Sequence, residues 1–227
     1  MNVKLISYSQ PSEKLIEQDL DNIQDLIAYC ARVSNPNNQY NSETSTKLLN
    51  FLARHAHWSP FEMVSMCLEI ETTRDIARQI LRHRSFSFQE FSQRYANPTK
   101  DLEFVVREAR FQDSKNRQNS VEIDGDKMSD RVLKEMWDEK QANVIQTSRE
   151  AYEWAIENGI AKEQARAVLP EGNIMSRMYM NGTVRSWIHY IQLRSGNGTQ
   201  KEHAEIAKLC AKVIADIFPL SKEYISE

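Results

Sequence analysis

The sequence predicts an α+β fold in a single domain, with helices packed around a small antiparallel sheet. Three observations carry this expectation. Long stretches repeat apolar residues at helical spacing, a few short runs alternate instead, and no repeat or low-complexity tract divides the 227 residues. A chain of that length is sufficient for one sizeable core.

Taken in order, Val3 to Tyr8 reads as a short strand. From Asp21, the positions Ile23, Leu26, Ile27 and Cys30 keep helical intervals and stop before Asn35-Pro36. Leu48, Leu49 and Leu52 mark a second helix that ends near His57. Met63 to Ile70 alternates as a strand does, with Met63, Ser65, Cys67 and Glu69 on one side. Thr72 and Asp75 form a capping box for a helix through Ile76 and Ile80 to about His83, and Glu103 to Arg107 is a further expected strand. Arg110 to Ser129 is poorest in apolar side chains and contains an Asp124-Gly125 turn signal, so a mobile loop or insertion is expected across 110–129. The longest helix follows, Asp130 to Asn158, with Val132, Met136, Trp137, Val144, Ile145, Tyr152 and Ile156 on one stripe and Gly159 just past its end. A short helix precedes Pro170, another follows Gly182, and the last runs from a Thr199/Glu202 capping box to Pro219.

A formal net charge of -3 argues against a general nucleic-acid coat or a polybasic membrane binder. Met1 to Gln10 has no signal-peptide pattern and no apolar run reaches bilayer length, so a cytoplasmic protein is expected. Cys30, Cys67 and Cys210 are far apart in apolar, periodic segments, which disfavours disulfides and metal clusters and favours buried packing. His55 and His57 lack Cys or carboxylate companions, so no metal site is assigned to them.

Polar chemistry concentrates between Gln79 and Tyr95. Arg82-His83-Arg84 sets three cationic or proton-bearing groups together at an expected helix end, where cations also suit the helix dipole. Beyond them Ser85, Ser87, Gln89, Glu90, Ser92, Gln93 and Arg94 interleave with Phe86, Phe88 and Phe91, one face for packing and one for a ligand. Arginine forks bind phosphate and aromatic planes pack beside heterocycles, so the segment suits a phosphorylated heterocyclic ligand.

Arg82-His83-Arg84, seven residues and then Ser92, continuing as Ser92-Gln93-Arg94-Tyr95, resembles the signature of the flavin-dependent thymidylate synthases. Four flanking blocks resemble that family in its order: Ala31-Arg32-Val33-Ser34, His57-Trp58-Ser59-Pro60-Phe61-Glu62, Ala165-Arg166-Ala167-Val168-Leu169-Pro170, and Arg185-Ser186 through Leu193-Arg194. The resemblance implies dUMP and methylenetetrahydrofolate as substrates, FAD and NADPH as cofactors, and a homotetramer with shared active sites. It implies flavin contacts at Arg82, His83 and Arg84, and further ones at Ser34, Ser59, Glu62, Glu90, Thr183, Val184, Arg185 and His189. For dUMP the corresponding positions are Gln79, Arg82, Glu90, Ser92, Gln93, Arg94, Arg166 and Arg194. Two departures are visible: His189 stands where the family often has Asn, and Gly198 where it has a His.

Methylation at C5 of uracil requires negative charge to build on the ring. A thiolate at C6 is one route; arginine in a water-poor site is the other, and Arg194 is the catalytic candidate, with Arg94 and Arg166 on the phosphate and ring edges. Ser92 has no adjacent base and is given a binding role. Arg185, His189 and Gln192 share one polar face, and His203 is read as structural. Two other readings remain at this point: a cysteine-dependent nucleotide methylase using Cys30, Cys67 or Cys210, and a single-stranded RNA-binding module using the arginine and Phe cluster.

Overall fold

Four antiparallel strands in the order β1-β2-β6-β3 form the sheet on which everything else is hung. The structure is a computed structural model and describes residues 1–196 and 198–225. The strands are β1 (Asn2–Tyr8), β2 (Ser65–Thr73), β3 (Ser87–Glu90) and β6 (Met175–Thr183), with a separate hairpin of β4 (Arg110–Gln112) and β5 (Ser120–Glu122). The helices are α1 (Glu13–Ile16), α2 (Ile23–Ala31), α3 (Ser45–Arg54), α4 (Arg74–Ile80), α5 (Pro98–Asp101), α6 (Met128–Glu157), α7 (Lys162–Ala165), α8 (Val184–Ser195), α9 (Lys201–Ile217) and α10 (Ser221–Tyr224). The α+β expectation, helices around a small antiparallel sheet, holds.

Alternation decides which face of the sheet is covered. Met66, Leu68 and Ile70 of β2 and Met178 and Met180 of β6 point one way and are buried under α4, α8 and α9. Trp187 of α8 is fully buried there and donates from its indole N–H to the Met66 carbonyl at 3.1 Å. The opposite face is polar: Arg177 pairs with Glu71 at 2.7 Å, Lys4 with Glu69 at 3.4 Å, and Tyr179 is exposed. One-sided antiparallel sheets take this form.

β6, the strand that joins the two halves of the sheet, was not expected from the sequence. Its Met-rich run has modest strand propensity and ends in Asn181-Gly182, which reads as a turn, although Ser176, Met178, Met180 and Gly182 alternate inward. Gly182 is needed there for close approach: a Cβ at that position would overlap the Phe86 ring.

Several expected elements move. The expected strand over Glu103 to Arg107 makes only an isolated bridge, Phe104 with Ile174. Its backbone is satisfied by side chains instead, because the Gln141 amide accepts from Arg107 N–H at 2.8 Å and donates to Arg107 C=O at 2.9 Å. Thr73, not Thr72, caps α4, and it donates to Asp75 Oδ1 at 2.6 Å while Thr72 stays inside the strand. α4 ends at Ile80, leaving Arg82 to Arg84 in the turn beyond it. α9 begins after Gln200 without a side-chain cap, since Glu202 is held by Arg107 and Arg110. α3 stops at Arg54, short of His57. The 110–129 stretch holds the β4–β5 hairpin and the first residues of α6.

α6 closes as expected, with Gly159 in the left-handed region at φ +78°. Its apolar stripe, however, joins this chain's core only near its end, through Tyr152 and Ile156. Val132, Met136, Trp137 and Val144 are all more than two-fifths exposed, and only Gln141, Tyr152 and Ala155 of the helix are buried. No helix among the described residues is long and apolar enough to cross a membrane.

Candidate active site

The polar segment expected to bind a ligand is the connection from α4 to β3 and the turn that follows. Phe86 and Phe88 anchor it: Phe86 is buried with its ring edge-to-face on Trp187, centroids 4.9 Å apart, while Ser87 and Gln89 face outward. Ser186 Oγ at the start of α8 donates to the Ser85 carbonyl at 3.4 Å, which docks the Arg82 to Arg84 turn against that helix. Arg82 and Arg84 are exposed, with no carboxylate against either among the described residues.

His83 is different from its two neighbours. It is half-buried, edge-on to Tyr190 at 4.9 Å, and its Nε2 accepts from Arg194 Nε at 3.0 Å. An arginine nitrogen only donates, so His83 carries its proton on Nδ1. Burial lowers the His83 pKa, and the Arg194 and Arg82 charges lower it further, so this ring is neutral near pH 7. The count of three cationic or proton-bearing groups in the motif thus resolves into two cations and one neutral imidazole. Arg194, in the last turn of α8, is half-buried with its guanidinium set against that imidazole.

A second group gathers on the outer face of α8. Glu62 and Arg185 pair at 2.7 Å, and His189 lies edge-on to Trp58 with centroids 5.1 Å apart. Gln192 donates to the Tyr224 carbonyl, so Arg185, His189 and Gln192 do share one face. Burial and the Arg185 charge lower the His189 pKa. Ser59 opens the short 3-10 turn that ends in Glu62, and Thr183 caps α8 by accepting from Ser186 N–H at 3.2 Å. Val184 is buried behind the cap, whereas Ser34 is exposed in the turn after α2. Its neighbour Arg32 is buried and holds that turn through the Asn41 carbonyl and Thr44 Oγ1 at 2.8 Å.

The third group is a cavity of about 470 Å³ between α4, α7 and the turn after β3. Arg74, Arg78, Gln93, Glu163, Arg166 and Glu171 line it. Gln93 is 4% exposed and its Nε2 has no partner, an orphaned donor that a ligand oxygen would satisfy. Glu171 is taken by Arg78 at 2.8 Å and Glu163 by Arg94 at 3.1 Å, leaving Arg166 without an ion-pair partner among the described residues. Glu90 accepts from Arg74 at 3.3 Å and from Ser176 Oγ at 2.8 Å. Ser92 Oγ accepts from the Arg94 N–H, at 3.4 Å, with no histidine or carboxylate bonded to it among the described residues. Arg74 and Arg78 were missed from the sequence; their signal was a pair of arginines one turn apart on the helix that carries Gln79.

None of the three cysteines lines the cavity. Burial raises the thiol pKa of Cys30, Cys67 and Cys210 alike, and nothing cationic opposes it.

An α+β chain with an arginine-lined cavity and an orphaned amide donor has the chemistry of an anion-binding protein. Residues 14–220 match the family described as "Thymidylate synthase complementing protein". The chain is 51% identical over 219 residues to the "Flavin-dependent thymidylate synthase" of Synechocystis sp., covering 96% of each chain. It is 47% identical over 220 residues to the "Probable flavin-dependent thymidylate synthase" of Paramecium bursaria Chlorella virus 1, again 96% of each. It shares its fold with the crystal structure of the UMP/dUMP methylase PolB from Streptomyces cacaoi bound with 5-Br dUMP, at a TM-score of 0.77 and 23% identity over 98% of this chain and 93% of that one. The chain belongs to the flavin-dependent thymidylate synthase family.

Proposed function

We propose that the protein methylates dUMP to dTMP, taking the carbon from methylenetetrahydrofolate and the hydride from FAD that NADPH has reduced. The observation that carries the chemistry is Arg194 set against neutral His83. A permanently charged guanidinium whose side-chain partner is an uncharged imidazole keeps its field for a ligand, and in a partly buried place that field is weakly screened. Arg194 therefore stabilises the charge that develops on the uracil ring. The Gln93–Arg166 cavity takes the phosphate, with Arg94 at its edge, and Gln79, Arg82, Glu90 and Ser92 complete the substrate side.

The residues fit a flavin. Arg82 and Arg84 are free cations beside the first turn of α8, whose N–H groups add positive potential for a diphosphate. Ser34, Ser59, Glu62, Glu90, Thr183, Val184, Arg185 and His189 supply the remaining contacts. Bound there, FAD contributes the hydride that no side chain can donate. Sites shared among four copies are consistent with Val132, Met136, Trp137 and Val144 of α6 being left exposed by a single chain. Free thiols at Cys30, Cys67 and Cys210 suit a cytoplasmic setting.

Purified protein reconstituted with FAD is expected to show the flavin absorption bands. Reduced by NADPH without oxygen, it is expected to reoxidise only when dUMP and methylenetetrahydrofolate are both added, giving dTMP and tetrahydrofolate. Turnover without flavin and with dihydrofolate as product would make the cysteine-dependent reading correct instead.

A further inference from the structure

Tyr190, His203, Gln79, Gln200 and Glu202 form one unbranched hydrogen-bonded chain linking α8, α4 and the start of α9. Tyr190 Oη is 3.2 Å from His203 Nε2, and His203 Nδ1 is 3.2 Å from Gln79 Oε1. Gln79 Nε2 donates to Gln200 Oε1 at 2.8 Å, and Gln200 Nε2 to Glu202 Oε2 at 2.9 Å. Both ends are buried, with His203 0%, Tyr190 2% and Glu202 9% exposed, and Gln79 and Gln200 between them are partly buried.

The direction of this chain is set at one end. Glu202 Oε1 accepts from Arg110 and Oε2 pairs with Arg107 at 3.2 Å, so the carboxylate is ionised and only accepts. Burial pushes its carboxyl up, but the Arg110 hydrogen bond and the Arg107 charge bring it below the usual range. Gln200 must therefore turn its NH2 toward Glu202 and its carbonyl toward Gln79. Gln79 must then turn its NH2 toward Gln200 and its carbonyl toward His203. His203 in turn carries its proton on Nδ1 and accepts from the Tyr190 hydroxyl at Nε2. Reversing any member sets donor against donor or acceptor against acceptor, most costly at the buried His203 and Tyr190.

We propose that Glu202 is a positioning residue which, through Gln200 and with His203, locks the side-chain amide of Gln79 in one of its two orientations and so makes the site choose uracil over cytosine. The proposal rests on the reading that Gln79 meets the pyrimidine of dUMP. A glutamine amide offers an N–H and a carbonyl side by side. Uracil presents O4 as acceptor beside N3–H as donor; cytosine presents the reverse, an N4 donor beside an N3 acceptor. A free amide turns over and serves either base, whereas a locked one serves a single pattern. After the chain has taken its share, Gln79 retains one N–H and one carbonyl lone pair for the base.

The test uses the intact, FAD-reconstituted protein with 15N-labelled histidine. NMR of the ring nitrogens reports the His203 tautomer, and calorimetry compares dUMP with dCMP. The wild type is expected to hold the Nδ1–H tautomer and to prefer dUMP. Glu202→Gln removes the end that sets direction, but it also strips Arg107 and Arg110 of their carboxylate. Gln200→Leu is therefore the second arm, because it cuts the chain and leaves that charged cluster in place. In each variant the His203 tautomer is expected to become mixed and the dUMP-over-dCMP affinity ratio to fall at least about tenfold. A wild-type proton on Nε2, or an unchanged ratio in Gln200→Leu, overturns the proposal. Wild-type protein that binds both nucleotides equally overturns it while the methylase reading survives; protein that binds neither overturns the methylase reading, and the selectivity with it.

Discussion

At the scale of single residues, the site depends on which groups are charged and which are not. Arg194 and His83 make the point, since the same contact in water would exchange freely between partners. Here burial and two neighbouring arginines keep the imidazole unprotonated, so it accepts from Arg194 without drawing off its charge. If that guanidinium acts on charge that appears during reaction, removing it will hurt the transition state more than the ground state. Arg194→Ala is expected to retain FAD and part of its dUMP affinity, while single-turnover reoxidation of the reduced flavin slows by about 10²-fold. Arg194→Lys is expected to restore little, because an ammonium does not reproduce the planar fork. Reoxidation at the wild-type rate in Arg194→Ala would reduce the residue to a helix-end cation.

At the scale of elements, β6 is what brings the separate pieces together. It pairs with β2 along nine residues and with β3 along four, and it leads directly into α8 through the Thr183 cap. β3 is therefore held by β6 at one end of the ligand-binding segment while Phe86 packs between Gly182 and Trp187 at the other. Gly182→Ala is expected to push the Phe86 ring aside and cost about 1–3 kcal/mol, the usual price of overpacking a filled core. Thermal unfolding measures the loss, and weakened flavin binding in the same variant would show that the Arg82 to Arg84 turn moved with Phe86. An unchanged melting temperature would mean that the ring has room that the structure does not show. The hairpin of β4 and β5 is a second lesson at this scale: few apolar residues did not mean no structure, because Lys201 bridges Glu122 of β5 at 2.6 Å and Glu108 at 2.9 Å.

At the scale of the whole molecule, α6 is a 30-residue helix whose apolar stripe is covered at Tyr152 but left open at Val132, Met136, Trp137 and Val144. Large exposed apolar surface of that kind marks an interface. Under the proposed shared sites, Met136→Glu combined with Val144→Glu is expected to lower the oligomer mass in light scattering. Far-ultraviolet circular dichroism should stay unchanged, and methylation should fall in proportion to the mass. A fully active monomer would refute the sharing of sites between copies.

Much was legible from the sequence, for identifiable reasons. Strong periodicity located α2, α3 and α6, because a helix of two or more turns repeats its signal, while Gly182 and Pro219 bracketed α8 and α9. The Arg82-His83-Arg84 to Ser92 spacing and its flanking blocks led to the right family, because residue types at fixed intervals survive without any knowledge of contacts. What only the tertiary structure decided were properties of pairs distant in the chain. Arg74 and Arg78 join the cavity through Glu171, about ninety residues away; His83 becomes neutral through burial and through Arg194, over a hundred residues on; and Gln79 is oriented from Glu202. Protonation, tautomer and amide direction depend on burial and on neighbours brought in by the sheet, and one-dimensional order carries neither.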